Sequence, residues 1–210
     1  LANGLLSMPR LIAFGCSLTY GHGLSDCIIQ PYNEPGDTAS ESAFPTLIAR
    51  KLNRTCINLS RPGASNKEIW NNAVNYEYRS TDIVIVHWSY PDRNVVYKDD
   101  STIVELAPWN DNAESKLFYK HFHSNIDANN DFYLRLDHLY NLYNRLNIKS
   151  AFFIPKHKCY TEQPSWCNAE INEIYIEKLS KDNNDYGLDN IHPGEKSHYE
   201  FARELYRILK

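Results

Sequence analysis

Short apolar runs alternate along this chain with segments whose apolar residues recur every three or four positions. The short runs are rich in aliphatic and aromatic residues, and they predict buried strands at residues 11–14, 55–59, 81–86 and 149–154. The other segments predict helices at residues 44–52, 66–78, 131–146, 168–179 and 194–209. Strands that alternate with helices predict an α/β protein, in which a mainly parallel sheet is covered by helices on both faces.

Local signals support several of these boundaries. Pro45 lies in the first turn of the predicted 44–52 helix, a position that needs no backbone N–H. Ser65 is followed three residues later by Glu68, which is the pattern of a capping box at the start of the 66–78 helix.

Two long segments show neither the short apolar runs of strands nor the three-to-four-residue repeat of helices. Residues 22–43 are rich in Gly, Pro, Ser, Asp and Asn, which predicts an irregular loop. Residues 94–130 carry many aromatic and amide side chains without a clean repeat. Because loops of this length are usually functional or disordered, we expect 94–130 to form an insertion or lid over a site.

Length and charge limit the class of protein. The 210 residues fit one domain, which we place at residues 8–210, with residues 1–7 as an N-terminal extension. The net charge of −4, with acidic and basic residues interspersed, disfavours nucleic-acid binding. No apolar run approaches the ~18 residues of a membrane span. The leading residues lack the positive region of a signal peptide, so a cytoplasmic location is expected.

The cysteines and histidines give no clear metal-binding pattern. The cysteines are five in number and form no close Cys-x-x-Cys pair: Cys16, Cys27, Cys56, Cys159 and Cys167. We expect reduced, buried thiols, while a disulfide between Cys159 and Cys167 stays open for an exported protein. His121 and His123 lie in an irregular stretch and are expected at the surface, so no metal is expected.

The end of the first predicted strand carries the first candidate for chemistry. The strand at 11–14 breaks at once into Gly15-Cys16-Ser17, and open α/β sheets bind ligands at the carboxyl ends of their strands. Ser17 is therefore a candidate nucleophile, although a serine there could instead cap the following helix. A nucleophilic serine needs a base that is held by a third group, and Asp189 and His192 offer that pair.

These two stretches together resemble a known family. Gly15-Cys16-Ser17-Leu18-Thr19 is similar to the first block of the SGNH (GDSL-type) hydrolases, and Asp189-x-x-His192-Pro193 is similar to their last block. The resemblance implies a flavodoxin-like three-layer α/β/α sandwich and an ester hydrolase without metal or organic cofactor. It implies that Ser17 attacks the ester, that His192 acts as base and then as acid, and that Asp189 orients His192. Cys16 replaces the family's aspartate, and Cys16 as nucleophile is a minor alternative.

The resemblance also implies three donors to the oxyanion: the N–H of Ser17, a glycine N–H in the second block, and an asparagine side chain in the third. Gly63 matches the second block. The third block departs from the family pattern, because the strand at 81–86 is followed by His87-Trp88-Ser89 and Ser89 stands where the asparagine would be. A hydroxyl can donate one hydrogen bond from a shorter side chain. Asn66 and Arg93 are further candidates for that role, and the predicted substrate-binding residues are Asn66, Trp88 and Arg93.

The predicted function is hydrolysis of short acyl esters, including O-acetyl groups on glycans, through an acyl-enzyme on Ser17. The predicted partner is a small-molecule or glycan ester. Trp88, Trp109 and Trp166 are candidates for stacking on sugars, although most such residues pack in cores or lids. Two alternatives stay open: an acyltransferase that uses the same residues, and a non-catalytic glycan-binding or structural module with an altered oxyanion hole. The oligomeric state cannot be read from the sequence.

Overall fold

The computed structural model describes residues 8–100, 102–155 and 160–210. The expected N-terminal extension at 1–7 lies outside the described residues, as does Cys159 of the possible Cys159–Cys167 disulfide. The other four cysteines, Cys16, Cys27, Cys56 and Cys167, are free thiols. None of the helices in the described ranges combines the length and apolar character needed to cross a membrane.

The described residues form strands and helices in alternation. The strands are β1 (Arg10–Phe14), β2 (Ile28–Ile29), β3 (Glu34–Pro35), β4 (Thr55–Asn58), β5 (Ile83–His87), β6 (Asn94–Tyr97), β7 (Ile103–Leu106) and β8 (Lys149–Phe153). The helices are α1 (Ser17–Tyr20), α2 (Phe44–Lys51), α3 (Asn66–Val74), α4 (Ala113–His121), α5 (Asn125–Arg145), α6 (Ile176–Asn183) and α7 (Glu195–Leu209).

A parallel sheet in the order β4-β1-β5-β8 forms the centre of the fold. The chain runs along the sheet in one direction from β1 to β4 and in the other from β4 to β5, so right-handed crossovers place α2 and α3 on opposite faces. Helix α7 packs beside α2, and α5 packs beside α3. The α/β/α expectation is confirmed, and every residue of β5 is buried, as a strand covered on both faces requires.

The segment 94–130 is more regular than its sequence suggests. It contains the antiparallel hairpin of β6 and β7, the helix α4 and the first turns of α5. Asn112 and Ser124 cap the two helices, because their side-chain oxygens accept hydrogen bonds from backbone N–H groups. Tyr119 of α4 donates to the carbonyl oxygen of Leu106 at 3.0 Å, which ties α4 to β7. The segment is thus an ordered subassembly, stabilised by contacts that a sequence repeat does not reveal.

Residues 168–175 are not helical, contrary to the expected helix at 168–179. Ile171 forms a parallel bridge with Phe152, and the N–H of Asn172 donates to the carbonyl oxygen of Phe152 at 2.9 Å. The segment therefore satisfies polar groups on the free edge of β8, which a helix in the same place would leave unpaired. The helix begins only at α6.

Two buried histidines lie between the sheet and α7. His87 ends β5 and has no solvent exposure, and His198 of α7 is 1% exposed. Nδ1 of His198 accepts a hydrogen bond from the N–H of Phe44 at 3.1 Å, which requires that nitrogen to be unprotonated. Burial lowers the pKa of His87 to about 4 and the pKa of His198 to about 3.

These pKa values predict a loss of stability in mild acid. Between about pH 6.5 and pH 4, the unfolded chain binds protons on both histidines and the folded chain does not. The free energy of unfolding should therefore fall as the pH falls, by up to ~1.4 kcal/mol per pH unit for each histidine. Urea denaturation at pH 7.5, 6 and 5 measures this slope.

The variant His198→Asn isolates the contribution of His198 to the pH dependence of the free energy of unfolding. Its amide oxygen can replace Nδ1 as the acceptor for Phe44 but does not titrate, so the slope should drop by ~1.4 kcal/mol per pH unit. His121→Asn, at an exposed position, is the matched control and should keep the full slope. A His198→Asn slope equal to that of the wild type would contradict the assignment.

Candidate active site

The carboxyl ends of β1 and β5 and the loop before α7 meet around a cavity of about 300 Å³. Parallel strands place their carboxyl ends at one edge of the sheet, which explains why residues distant in sequence converge there. All three segments contribute to its lining, with Ser17, Ser89, Arg93 and His192, and two further lining residues are Trp109, which follows β7, and Glu177 of α6.

Ser17 is the first residue of α1 and is 7% exposed. The residue in the N-cap position is Cys16, and no side chain caps this helix. Ser17 therefore does not cap α1. It lines the cavity instead. Its carbonyl oxygen accepts hydrogen bonds from the N–H of Gly21 at 3.0 Å and of His22 at 3.1 Å, which fixes the turn that follows.

Asp189 and His192 form a hydrogen-bonded pair. Nδ1 of His192 lies 2.6 Å from Oδ2 of Asp189. The other carboxylate oxygen accepts from the N–H groups of Ile191 and His192, both at 3.0 Å. Burial alone would raise the pKa of Asp189, but these donors and the imidazole hold it below its usual value. A charged Asp189 keeps the proton of neutral His192 on Nδ1, which leaves Nε2 free to accept one.

The environment of His192 keeps its imidazole neutral near pH 7. Burial lowers its pKa, Asp189 opposes that effect, and the nearby His22 and Arg93 lower the pKa further. The rings of His22 and His192 lie against each other, with centroids 4.5 Å apart. His22 was not among the site residues predicted from the sequence. The available signal was its position five residues after Ser17, inside the Gly21-His22-Gly23 turn.

Gly23 allows that turn to approach the Asp189 loop. It has φ +93°, and an added Cβ would lie 2.9 Å from Oδ1 of Asp189. The carbonyl oxygen of Gly23 accepts a hydrogen bond from the N–H of Leu188 at 2.7 Å. The loop that holds Asp189 is therefore attached to the turn that follows Ser17, so the two halves of the site are positioned by one backbone contact.

Ser89 is held on three sides and fully buried at the cavity wall. Its N–H donates to Oδ1 of Asn66 at 2.7 Å, and its carbonyl oxygen accepts from the hydroxyl of Tyr160. Its Oγ accepts from Nη1 of Arg93 at 3.3 Å. Because Oγ is already an acceptor for Arg93, its own proton is available to a further partner.

Four of the residues selected from the sequence do not line this cavity. Asp189 lies behind His192, to which it is hydrogen-bonded, and the other three are Gly63, Asn66 and Trp88. Gly63 follows β4 with φ +81° and lines a smaller cavity of about 60 Å³, which shares Arg93 and Trp109 with the larger one. Asn66 lies behind Ser89 and faces a neighbouring groove.

Trp88, which the sequence predicted to bind substrate, lies in the core instead. It is fully buried, and its ring packs edge-on against Phe132 at 5.4 Å between centroids. Successive side chains point to opposite faces of extended backbone, so Trp88 enters the core while Ser89 faces the cavity. Of the tryptophans considered for stacking on sugars, Trp109 lines the cavity and is 57% exposed.

One group of side chains has the donor set of a metal site. The ligating atoms of His22, Asp189 and His192 all lie within 4.8 Å of one another. Two imidazoles and a carboxylate are ligands that Zn²⁺ uses in proteins. Nδ1 of His192 is already bonded to Asp189, so the same atoms serve the histidine–carboxylate pair described above.

No family model and no curated protein sequence matches the chain, but solved structures share its fold. An acetyl xylan esterase (Est2A) from the rumen bacterium Butyrivibrio proteoclasticus aligns over 97% of this chain, with a TM-score of 0.58 and 15% identity. This chain spans only 64% of that enzyme's length. TesA aligns over 96% of this chain and 98% of its own, with a TM-score of 0.58 and 10% identity.

A lipolytic protein of the G-D-S-L family from Desulfitobacterium hafniense aligns over 95% of this chain and 99% of its own, with a TM-score of 0.51 and 11% identity. At such identities the likeness concerns the fold. The expected architecture is confirmed: this chain has the three-layer α/β/α fold of the SGNH (GDSL-type) hydrolases.

Proposed function

We propose that the protein is a serine ester hydrolase that cleaves short acyl esters through an acyl-enzyme on Ser17. The observation that carries the proposal is that His192, hydrogen-bonded to Asp189, lines the same cavity as Ser17. A neutral imidazole beside a serine, oriented by a charged carboxylate, is the arrangement that makes a hydroxyl nucleophilic. The fold shared with esterases and lipolytic proteins is consistent with this chemistry.

The reaction proceeds in two halves. In the first, Oγ of Ser17 attacks the ester carbonyl carbon while Nε2 of His192 takes the hydroxyl proton. The tetrahedral intermediate collapses, the bond to the alcohol oxygen breaks, and His192 gives its proton to the departing alcohol. In the second half, His192 deprotonates a water that attacks the acyl-enzyme, which releases the carboxylic acid and restores Ser17. Asp189 stays ionised and stabilises the imidazolium in both halves.

The oxyanion of each intermediate needs preorganised donors. We assign the N–H of Ser17 and the hydroxyl of Ser89, which line the cavity, to this role. The N–H of Gly63, on the adjoining smaller cavity, is proposed as a further donor. Ser89 is the strongest candidate for replacing the family's asparagine, because Arg93 donates to its Oγ and so favours an orientation in which its O–H donates to another group. A donor whose position is fixed in advance costs no reorganisation during the reaction.

The size and lining of the cavity favour small acyl groups. A volume of about 300 Å³ lies at the lower end of the range for small-molecule sites. Its lining mixes aromatic residues with charged and hydroxyl groups, which suits a polar ester better than a long alkyl chain. O-acetyl groups on glycans are therefore included in the proposed substrate class.

Ser17→Ala should abolish ester hydrolysis and leave the fold intact, because it removes only the nucleophilic oxygen. Hydrolysis of p-nitrophenyl acetate and covalent labelling by a fluorophosphonate probe measure the effect. The wild type should be labelled at Ser17, and the exposed Ser80→Ala variant should behave like the wild type. Activity that survives in Ser17→Ala would mean that another group, such as Cys16, is the nucleophile.

The pH profile should report the neutral form of His192. Because its pKa is lowered, kcat/KM should stay high until the pH falls below about 6.5 and then decline. Asp189→Asn should reduce kcat by ~10³- to 10⁴-fold. It should also move the acidic limb to lower pH, since Asp189 raises the pKa of His192. An acidic limb that does not move in Asp189→Asn would contradict the assigned pair.

Ser89→Ala tests the third oxyanion donor. Loss of one donor should lower kcat by up to ~10²-fold with little change in KM, because the interaction is strongest in the transition state. Ser89→Thr retains the hydroxyl and should recover part of the rate. An unchanged kcat in Ser89→Ala would remove Ser89 from the oxyanion hole.

A further inference from the structure

Glu177 is a buried carboxyl group that the proposed mechanism does not use. It lies in the first turn of α6 and lines the same cavity as Ser17 and His192. Both of its carboxylate oxygens are inaccessible to solvent, and neither has a hydrogen-bond partner of normal geometry among the described residues. Native proteins pair almost all buried polar atoms, so such a group next to a reactive serine requires an explanation.

Two polar neighbours of Glu177 among the described residues bond to other groups. Arg93 is the cation on the cavity wall, but its guanidinium bonds to Ser89 and lies over the rings of Tyr90 and Trp109, at 5.3 and 5.0 Å. Ser180 follows three residues after Glu177 on the same helix, and its hydroxyl donates to the carbonyl oxygen of Asp185 at 2.6 Å. Burial raises the pKa of Glu177 to about 7, against the opposing effect of its own backbone N–H.

The rest of the lining indicates what kind of group the carboxyl would bind. Trp109 and Tyr186 line the same cavity and are 57% and 45% exposed, so the ring surface that Arg93 does not cover is available to a ligand. Flat aromatic faces beside a hydrogen-bonding carboxyl suit a ring that carries both C–H and O–H groups. An alkyl chain would leave the carboxyl unpaired. A cationic substrate is disfavoured because Arg93 lines the same cavity.

We propose that Glu177 is a specificity-determining residue, whose carboxyl binds a hydroxyl of the alcohol portion of the ester, so that the substrates are esters of sugars or other polyols. This inference rests on the proposed ester hydrolysis and narrows its substrate class. The ester carbonyl lies at Ser17, and the hydroxylated part of the alcohol extends along α6 towards Glu177. Near neutral pH the carboxyl can accept a hydrogen bond in either protonation state.

Matched substrates test this assignment. One is a methyl xyloside with one O-acetyl group and free hydroxyls, the second is the same monoacetate with the other hydroxyls methylated, and the third is p-nitrophenyl acetate. The wild type should prefer the first over the second by roughly 10- to 100-fold in kcat/KM. Glu177→Leu should lose that preference and keep its rate on p-nitrophenyl acetate within about twofold. Glu177→Gln, which retains an acceptor, should keep part of the preference.

Two controls distinguish an effect of Glu177→Leu on substrate specificity from an effect on folding. Glu173→Leu changes an exposed glutamate just before α6 and should behave like the wild type. The melting temperature of Glu177→Leu should equal or exceed that of the wild type, because the substitution removes an unpaired buried carboxyl. A fall in rate on all three esters, or a wild type that does not distinguish the free from the methylated hydroxyls, would overturn the role of Glu177.

The failure of the proposed hydrolysis gives a different pattern. Without labelling of Ser17 and without turnover of p-nitrophenyl acetate, the catalytic proposal fails, and binding of the unacetylated methyl xyloside is then measured by NMR. Binding that Glu177→Leu weakens at least roughly tenfold would support the recognition role without catalysis. Binding that is absent, or equal in the two proteins, would overturn it.

Discussion

The parallel pairing of β1 with both β4 and β5 is the constraint on which the site depends. In a parallel sheet every strand points the same way, so the segments that leave β1 and β5 emerge at one edge. Ser17 and Ser89 each follow their strand within a few residues, and the buried backbone hydrogen bonds of the sheet fix their separation. Asp189 and His192 come from a loop, and their position depends on the contact between Leu188 and Gly23.

Two buried carboxyl groups near the same cavity have opposite pKa shifts. Asp189 receives two backbone N–H donors and the imidazole of His192, which outweigh the effect of burial and keep it ionised. Glu177 has burial without comparable donors, and its pKa rises to about 7. The difference lies in the hydrogen bonds rather than in the residue type. One carboxylate is held as a fixed charge, and the other is the group to which we assign recognition of a ligand hydroxyl.

Much of the fold was predictable, because its signals are local. The run at β5 and the Ser65–Glu68 cap are read directly from neighbouring residues, and Oγ of Ser65 does accept from the N–H of Glu68. The hairpin of β6 and β7 was missed because its stability comes from distant contacts such as that of Tyr119. Residues 168–175 were misassigned because their pairing depends on the free edge of β8.

Part of the candidate site was also predictable, again where the signal is local. Ser17, Asp189 and His192 stand in recognisable local patterns. The side to which Trp88 and Ser89 point depends on how the backbone alternates beyond β5, and the proximity of His22 to His192 depends on a tertiary contact. Glu177 has no sequence signal, since a glutamate in the first turn of a helix is ordinary and only its surroundings make it unusual.

The packing of α7 against α2 has a consequence for synthesis of the protein. Phe201 and His198 of α7 cover Phe44, which is synthesised some 150 residues earlier. A ribosome-bound chain that has not yet reached α7 carries the serine but lacks the closing helix, and it exposes this aromatic surface to solvent. Such an intermediate is prone to self-association. Packing of α7 against α2 therefore removes this aromatic surface from solvent.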